Sequence, residues 1–166
     1  MTYFSLALAT IPVLVFLAAQ DLKERMIYSF PVLFLSGAWA AHSVILYKDN
    51  PIFVITAWSA TIALFMAYKI SGMWGDGDSD MWLLFTGVIL STFELKNMLQ
   101  FGFVVCILLV GVQGIALIAG LIEAAIKKRK LDRHSDIAVA PGFAMILIMV
   151  ILYGISREVS IIRMMR

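Results

Sequence analysis

Cysteine is nearly absent from this chain, and a set of chemistries is absent with it. The single cysteine, Cys106, allows no intramolecular disulfide and no cysteine-based zinc cluster, and amid an apolar run it reads as a small apolar filler. Histidine is almost as scarce: His42 lies in an apolar run and His134 in a charged loop, and neither has a ligand-like partner at metal-binding spacing. Charge is thin too, at 14% of the 166 residues, against about 25% in an average soluble domain. In its place stand 62% hydrophobic residues and a mean hydropathy of +0.95. That much apolar surface exceeds what a water-soluble core of this length can hide, and it excludes a disordered chain for the opposite reason. The composition is that of a protein in a bilayer.

The positions of the charges sharpen this reading. The 13 basic and 11 acidic residues cluster in short stretches. Between them run Tyr3–Gln20, Tyr28–Tyr47, Pro51–Tyr68, Met81–Phe93, Leu99–Ile122 and Ala138–Ser156, all free of Asp, Glu, Lys and Arg. Most are close to the roughly 20 residues a spanning helix needs. Six such runs in succession, separated only by charged turns, predict an all-α polytopic membrane protein of six transmembrane helices, a single domain over residues 1–166. The first run lacks the basic start of a cleaved leader and is longer than a leader's apolar core, so it counts as helix one.

Lysine and arginine set the expected orientation. The loops after helices one, three and five hold Lys23, Arg25, Lys69, Lys127, Lys128, Arg129, Lys130 and Arg133, whereas the loops after helices two and four hold only Lys48 and Lys96. The odd loops are expected in the cytoplasm and both termini outside; Arg157, Arg163 and Arg166 in the tail reduce the contrast. The basic run Lys127–Lys130 reads chiefly as a topology signal, with anionic lipid as a second use, and nothing else in the chain forms a nucleic-acid surface.

Two of the odd loops carry carboxylates in unusual settings. One is Gln20-Asp21-Leu22-Lys23-Glu24-Arg25-Met26-Ile27, directly after helix one. The other is Gly72-Met73-Trp74-Gly75-Asp76-Gly77-Asp78-Ser79-Asp80, directly before helix four, where the glycines let the backbone turn tightly or approach another chain closely. Ser79 or Asp78 is expected to cap helix four. From Asp78 to Phe93 that helix is about 24 Å long against a hydrocarbon core of about 30 Å, so either the bilayer thins or the acidic loop is drawn into the boundary. A carboxyl at that depth holds its proton more tightly, and two sharing a site can hold one proton between them, one as base towards water and one as acid towards a carbonyl. The same acids also read as ordinary interfacial charges around Asp21 and a solvated turn at Asp76, Asp78 and Asp80; a Ca²⁺ or Mg²⁺ turn is a further option that lacks EF-hand spacing.

These residues resemble the prepilin peptidase family, in the branch that includes archaeal preflagellin peptidases. Asp21-Leu-Lys-Glu-Arg25-Met-Ile27 is similar to the family's Asp-x-x-x-Arg-x-Ile element, Gly75-Asp76-Gly77-Asp78 to its Gly-x-Gly-Asp element, and Ala140-Pro141-Gly142 to the proline-containing start of its last core helix. The sequence departs from it at Tyr28-Ser29, where Pro-Asn is frequent, and at Asp80, where bacterial members commonly have lysine. The paired-cysteine cytoplasmic domain of larger relatives has no counterpart, so their methyltransferase activity is not expected. The resemblance implies a membrane aspartic endopeptidase with Asp21 and Asp78 as the catalytic pair and Arg25, Gly75, Asp76, Gly77, Asp80 and Pro141 in support. It implies removal of a short basic leader from a pilin- or flagellin-like precursor at the cytoplasmic face of a prokaryotic plasma membrane, with no metal or cofactor. Glu24, Asp76 and Asp80 are expected to attract the basic leader.

Two other classes use the same residues differently. A small proton- or cation-coupled transporter would bind its ion on these carboxylates, but they lie in expected loops rather than at mid-membrane, and no inverted repeat is evident. An assembly subunit would use them only as loop charges. Of the remaining features, Gly37 with Ala41 and Ala116 with Gly120 read as intramolecular packing pairs, Trp39, Trp58, Trp74 and Trp82 as partly interfacial anchors, Gln113 as a helix–helix hydrogen bond, and the tail from Arg157 as a surface-lying end.

Overall fold

The computed structural model describes residues 2–71, 75–126 and 138–164, with Asp76 and residues 161–164 as backbone only. Six helices account for nearly all of them: α1 Tyr3–Glu24, α2 Ser29–Leu46, α3 Pro51–Ser71, α4 Asp76–Thr92, α5 Met98–Ile126 and α6 Ala140–Met164. Among the described residues there is no strand. Five helices, α1, α2, α3, α5 and α6, are long and apolar enough to cross a membrane; α4, at 17 residues, is not one of them. Side chains such as Phe30, Ile70 and Leu99 stand about four-fifths exposed, a surface suited to lipid rather than water.

The short helix is the central one. Met81, Trp82, Leu84, Phe85, Val88, Ile89 and Leu90 of α4 are all buried, as expected of a helix apolar on every side with protein around it. α2, α3 and α6 pack around α4, while α1 and α5 each pack on α6. Small residues set the closest approaches. A Cβ on Gly87 would lie 2.8 Å from Cβ of Trp39, and one on Gly142 would run into the Val112 carbonyl beside Ala116. Ala116 and Gly120 thus face inward on α5, the intramolecular packing expected of that pair.

Away from Asp21 and Asp78, polar side chains tie helices together. The Tyr3 and Thr92 hydroxyls are 2.7 Å apart, Trp39 Nε1 donates to Thr10 Oγ1 at 2.9 Å, and Trp58 Nε1 donates to Ser43 Oγ at 3.0 Å. The Tyr47 hydroxyl donates to the Phe93 carbonyl at 2.7 Å and accepts from the Leu95 N–H at 2.9 Å. Arg157 pairs with Glu94.

Several sequence expectations are corrected. Cys106 is exposed, a lipid-side residue rather than core filler. Gln113 is exposed on α5 rather than enclosed between helices. Trp39 and Trp82 are core residues, because each indole N–H finds an inward acceptor, Thr10 Oγ1 and the Thr61 carbonyl. Arg157 and the residues after it continue α6 to Met164, with Glu158, Val159 and Ser160 exposed. Trp74, His134 and the basic run Lys127–Lys130 lie outside the described residues.

Candidate active site

Asp21 lies inside a helix, not in a loop beyond it. α1 runs to Glu24, and its inward stripe of Leu14, Leu17, Gln20 and Asp21 repeats at helical spacing. Asp21 is only 6% exposed. Its Oδ2 accepts a hydrogen bond from the Ala140 N–H at 3.1 Å. Ala140 opens α6, so this N–H is one that the helix cannot satisfy internally, and the carboxylate sits at the positive end of the α6 dipole. Pro141, next in line, has no N–H to offer and suits a first turn. Asp21 therefore caps a distant helix, which no local pattern announced.

Arg25 ends α1 in the left-handed region, φ 55°, and its N–H closes on the Asp21 carbonyl at 3.0 Å. Its guanidinium reaches across to Glu123 of α5, Nη2 to Oε2 2.5 Å. The arginine expected to support the site thus ties the end of α1 to α5.

Asp78 is helical as well. Gly75 is the N-cap of α4, and both the N–H and the hydroxyl of Ser79 bond to the Gly75 carbonyl, at 3.0 and 3.1 Å. The helix begins earlier than expected, so Asp78 and Ser79 lie within its first turn and neither caps it. A Cβ on Gly75 would stand 3.4 Å from Asp78 Oδ2, which places that oxygen over the cap. Asp78 Oδ1 is buried and has no hydrogen-bond partner among the described residues. Asp78 precedes the apolar stretch of α4, and burial, then the charge of Asp21, push its carboxyl up to about 6. The charge of Asp21 is the second cause of that rise.

Gly77 explains how the two elements meet. A Cβ there would lie 2.5 Å from Cβ of Ile27; only a glycine lets the start of α4 rest against the residue that ends the Asp-x-x-x-Arg-x-Ile element.

The other acids behave differently. Asp80 is buried, with Oδ1 3.1 Å from Lys69 Nζ on the last turn of α3. A carboxylate so enclosed and paired is not free to attract a leader, and that expectation is corrected. Glu24 remains exposed, 3.8 Å from Lys23, and the Asp76 side chain lies outside the described residues. Among the described residues, no group of three His, Cys, Asp or Glu side chains is placed to hold a metal ion.

One residue escaped the sequence reading. Gln20 is buried, and neither its Oε1 nor its Nε2 has a hydrogen-bond partner among the described residues. A polar residue at the last inward position of a Leu14, Leu17 stripe was the available signal.

Chemically, the site holds one carboxyl bonded to a helix terminus and a second pushed up to about 6, unequal settings of the kind that let two carboxyls divide the roles of base and acid. No protein-family model matches this chain, and no curated protein and no solved structure matches it.

Proposed function

We propose that this chain is a membrane aspartic endopeptidase of the prepilin and preflagellin peptidase type. It removes a short basic leader from a precursor whose next segment is a hydrophobic helix. The observation that carries this reading is the packing of the element that bears Asp78 on the element that bears Asp21, Gly77 against Ile27, with the two carboxyls in unequal settings: Asp21 is bonded to the Ala140 N–H, and Asp78 has an Oδ1 unpartnered among the described residues and a carboxyl pushed up to about 6.

The roles follow from that inequality. Asp21, the anion, takes a proton from a water between the carboxyls as the water oxygen attacks the scissile carbonyl carbon. Asp78 gives its proton to the carbonyl oxygen, leaving a neutral gem-diol. Asp21 then passes its proton to the peptide nitrogen, the C–N bond breaks, and a diol hydroxyl returns a proton to Asp78. Each carboxyl ends as it began. A precursor whose apolar helix lies in the bilayer carries its scissile bond at the boundary, here taken as the cytoplasmic face of a prokaryotic plasma membrane.

The test is cleavage in membranes of tagged flagellin- and pilin-like precursors by wild type, Asp21→Asn, Asp78→Asn and Asp76→Asn at equal abundance. Cleavage by wild type and Asp76→Asn, with none by the other two, is the expected result. A folded wild type that cuts nothing, or active Asp21→Asn and Asp78→Asn proteins, would overturn the reading in favour of ion coupling by the same acids.

A further inference from the structure

We infer that Gln20 is a substrate-binding residue: its side-chain amide holds the backbone of the polypeptide segment that reaches Asp21 and Asp78. This rests on the proteolytic reading and adds a residue to it.

Gln20 shares the buried face of α1 with Asp21, its neighbour in the chain. Its Oε1 and Nε2 are both enclosed and both unpartnered. Hydroxyl side chains in the spans do not behave this way. Thr10, Ser36 and Thr61 each donate to the carbonyl four residues back, at 2.7, 2.7 and 2.8 Å. A buried amide lacking both partners is destabilising, and a leucine there would simply continue the Leu14, Leu17 stripe. Asp78 Oδ1, also buried and unpartnered among the described residues, belongs to the same end of the bundle, where Gly77 of α4 lies against Ile27 just beyond α1. Unspent hydrogen-bonding groups gathered at one site fit an occupant that supplies the missing partners.

The chemistry of the amide narrows that occupant. A peptide unit offers one N–H and one C=O, and a glutamine side chain meets both, Oε1 accepting and Nε2 donating. Neither aspartate can do this, since Asp21 only accepts and Asp78 has a proton committed to the reaction. An extended segment fits and a helical one does not, because helical backbone groups are already bonded to each other.

The experiment compares wild type with Gln20→Leu as purified full-length protein in detergent. Three quantities are measured: melting temperature, cleavage of a precursor that wild type cuts, and binding of that precursor to an Asp21→Asn/Asp78→Asn protein with and without Gln20→Leu. The expected result is an unchanged or higher melting temperature with kcat/KM lower by about 10–100-fold, matched by weaker binding, as the loss of two hydrogen bonds gives. Wild-type-like cleavage and binding by Gln20→Leu would overturn the inference alone. So would a lower melting temperature, which would mark the amide as structural. A wild type that cuts no precursor would instead remove the proteolytic reading on which it rests.

Discussion

The two ends of the bundle use polar side chains in opposite ways. At the end formed by Tyr3, Tyr47 and Thr92, hydroxyls and indoles are spent on joining helices: Tyr3 meets Thr92, and Tyr47 both donates to Phe93 and accepts from Leu95. At the other end Gln20 and Asp78 keep buried atoms without partners, and Asp21 makes one bond, to a helix terminus. The first pattern contributes rigidity. The second leaves bonding capacity in reserve at a cost in stability, which is how functional sites differ from scaffolds. The division has one exception, the buried and unpartnered Nδ1 of His42, which packs edge-on against Tyr3 and Trp39.

Substitutions can break this contrast from either side. The largest effect is expected at the carboxyls. Asp21→Asn and Asp78→Asn should each slow cleavage by about 10²–10⁴-fold, the usual worth of a positioned acid or base. Asp21→Asn should still fold, since an amide oxygen can accept from the Ala140 N–H. Equal melting temperatures alongside lost cleavage would confirm that these groups serve chemistry.

Acidity comes next. With its carboxyl pushed up to about 6, Asp78 holds the catalytic proton below that pH and loses it above. kcat/KM should therefore fall about tenfold per unit on the alkaline side. Stability follows the same proton. The folded carboxyl binds it more tightly than the ordinary value of 3.8, so this favourable contribution is full below about pH 4 and is lost as pH rises towards about 6. A thermal-melting series against pH should show that decline in wild type and not in Asp78→Asn.

A smaller effect is expected at the contact between the two acidic elements. Gly77→Ala must displace Ile27 and should cost about 1–3 kcal/mol with reduced cleavage. Gly37→Ala is the control: a Cβ there meets nothing within 4 Å, so the protein should be unharmed or up to about 1 kcal/mol more stable. The smallest effect belongs to the opposite end. Tyr3→Phe should lose about 1 kcal/mol in a denaturation curve while cleavage stays at wild-type rate, because a hydrogen bond spent on structure is all that is removed.

How much of this was legible in the sequence depends on which physical signal wrote it. The helices were legible, because charged turns interrupt apolar runs wherever the chain leaves the hydrocarbon. So were the two acidic elements, since aspartates grouped with arginine or glycine beside apolar runs stand out against such a background. The inward faces were not. In a bilayer, lipid-facing and core positions are both apolar, so Trp82, buried against Thr61, and the exposed Phe30 look alike in the chain. Helix ends were misjudged for a related reason. Asp21 stays helical because Ala140, far along the sequence, receives its carboxylate, and Asp80 turns inward because Lys69 lies on the adjoining α3. Both outcomes are decided by partners that no local window contains.

The position of α4 has a consequence for the bilayer itself. A helix that faces lipid must match the thickness of the hydrocarbon or tilt, stretch or thin it, at a cost per ångström of mismatch. At 17 residues, or about 26 Å, α4 would carry that cost if it stood at the rim. Enclosed by α2, α3 and α6, it meets protein instead, and its length is released from the membrane's demand. The depth at which Asp78 sits is then set by neighbouring helices rather than by acyl chains.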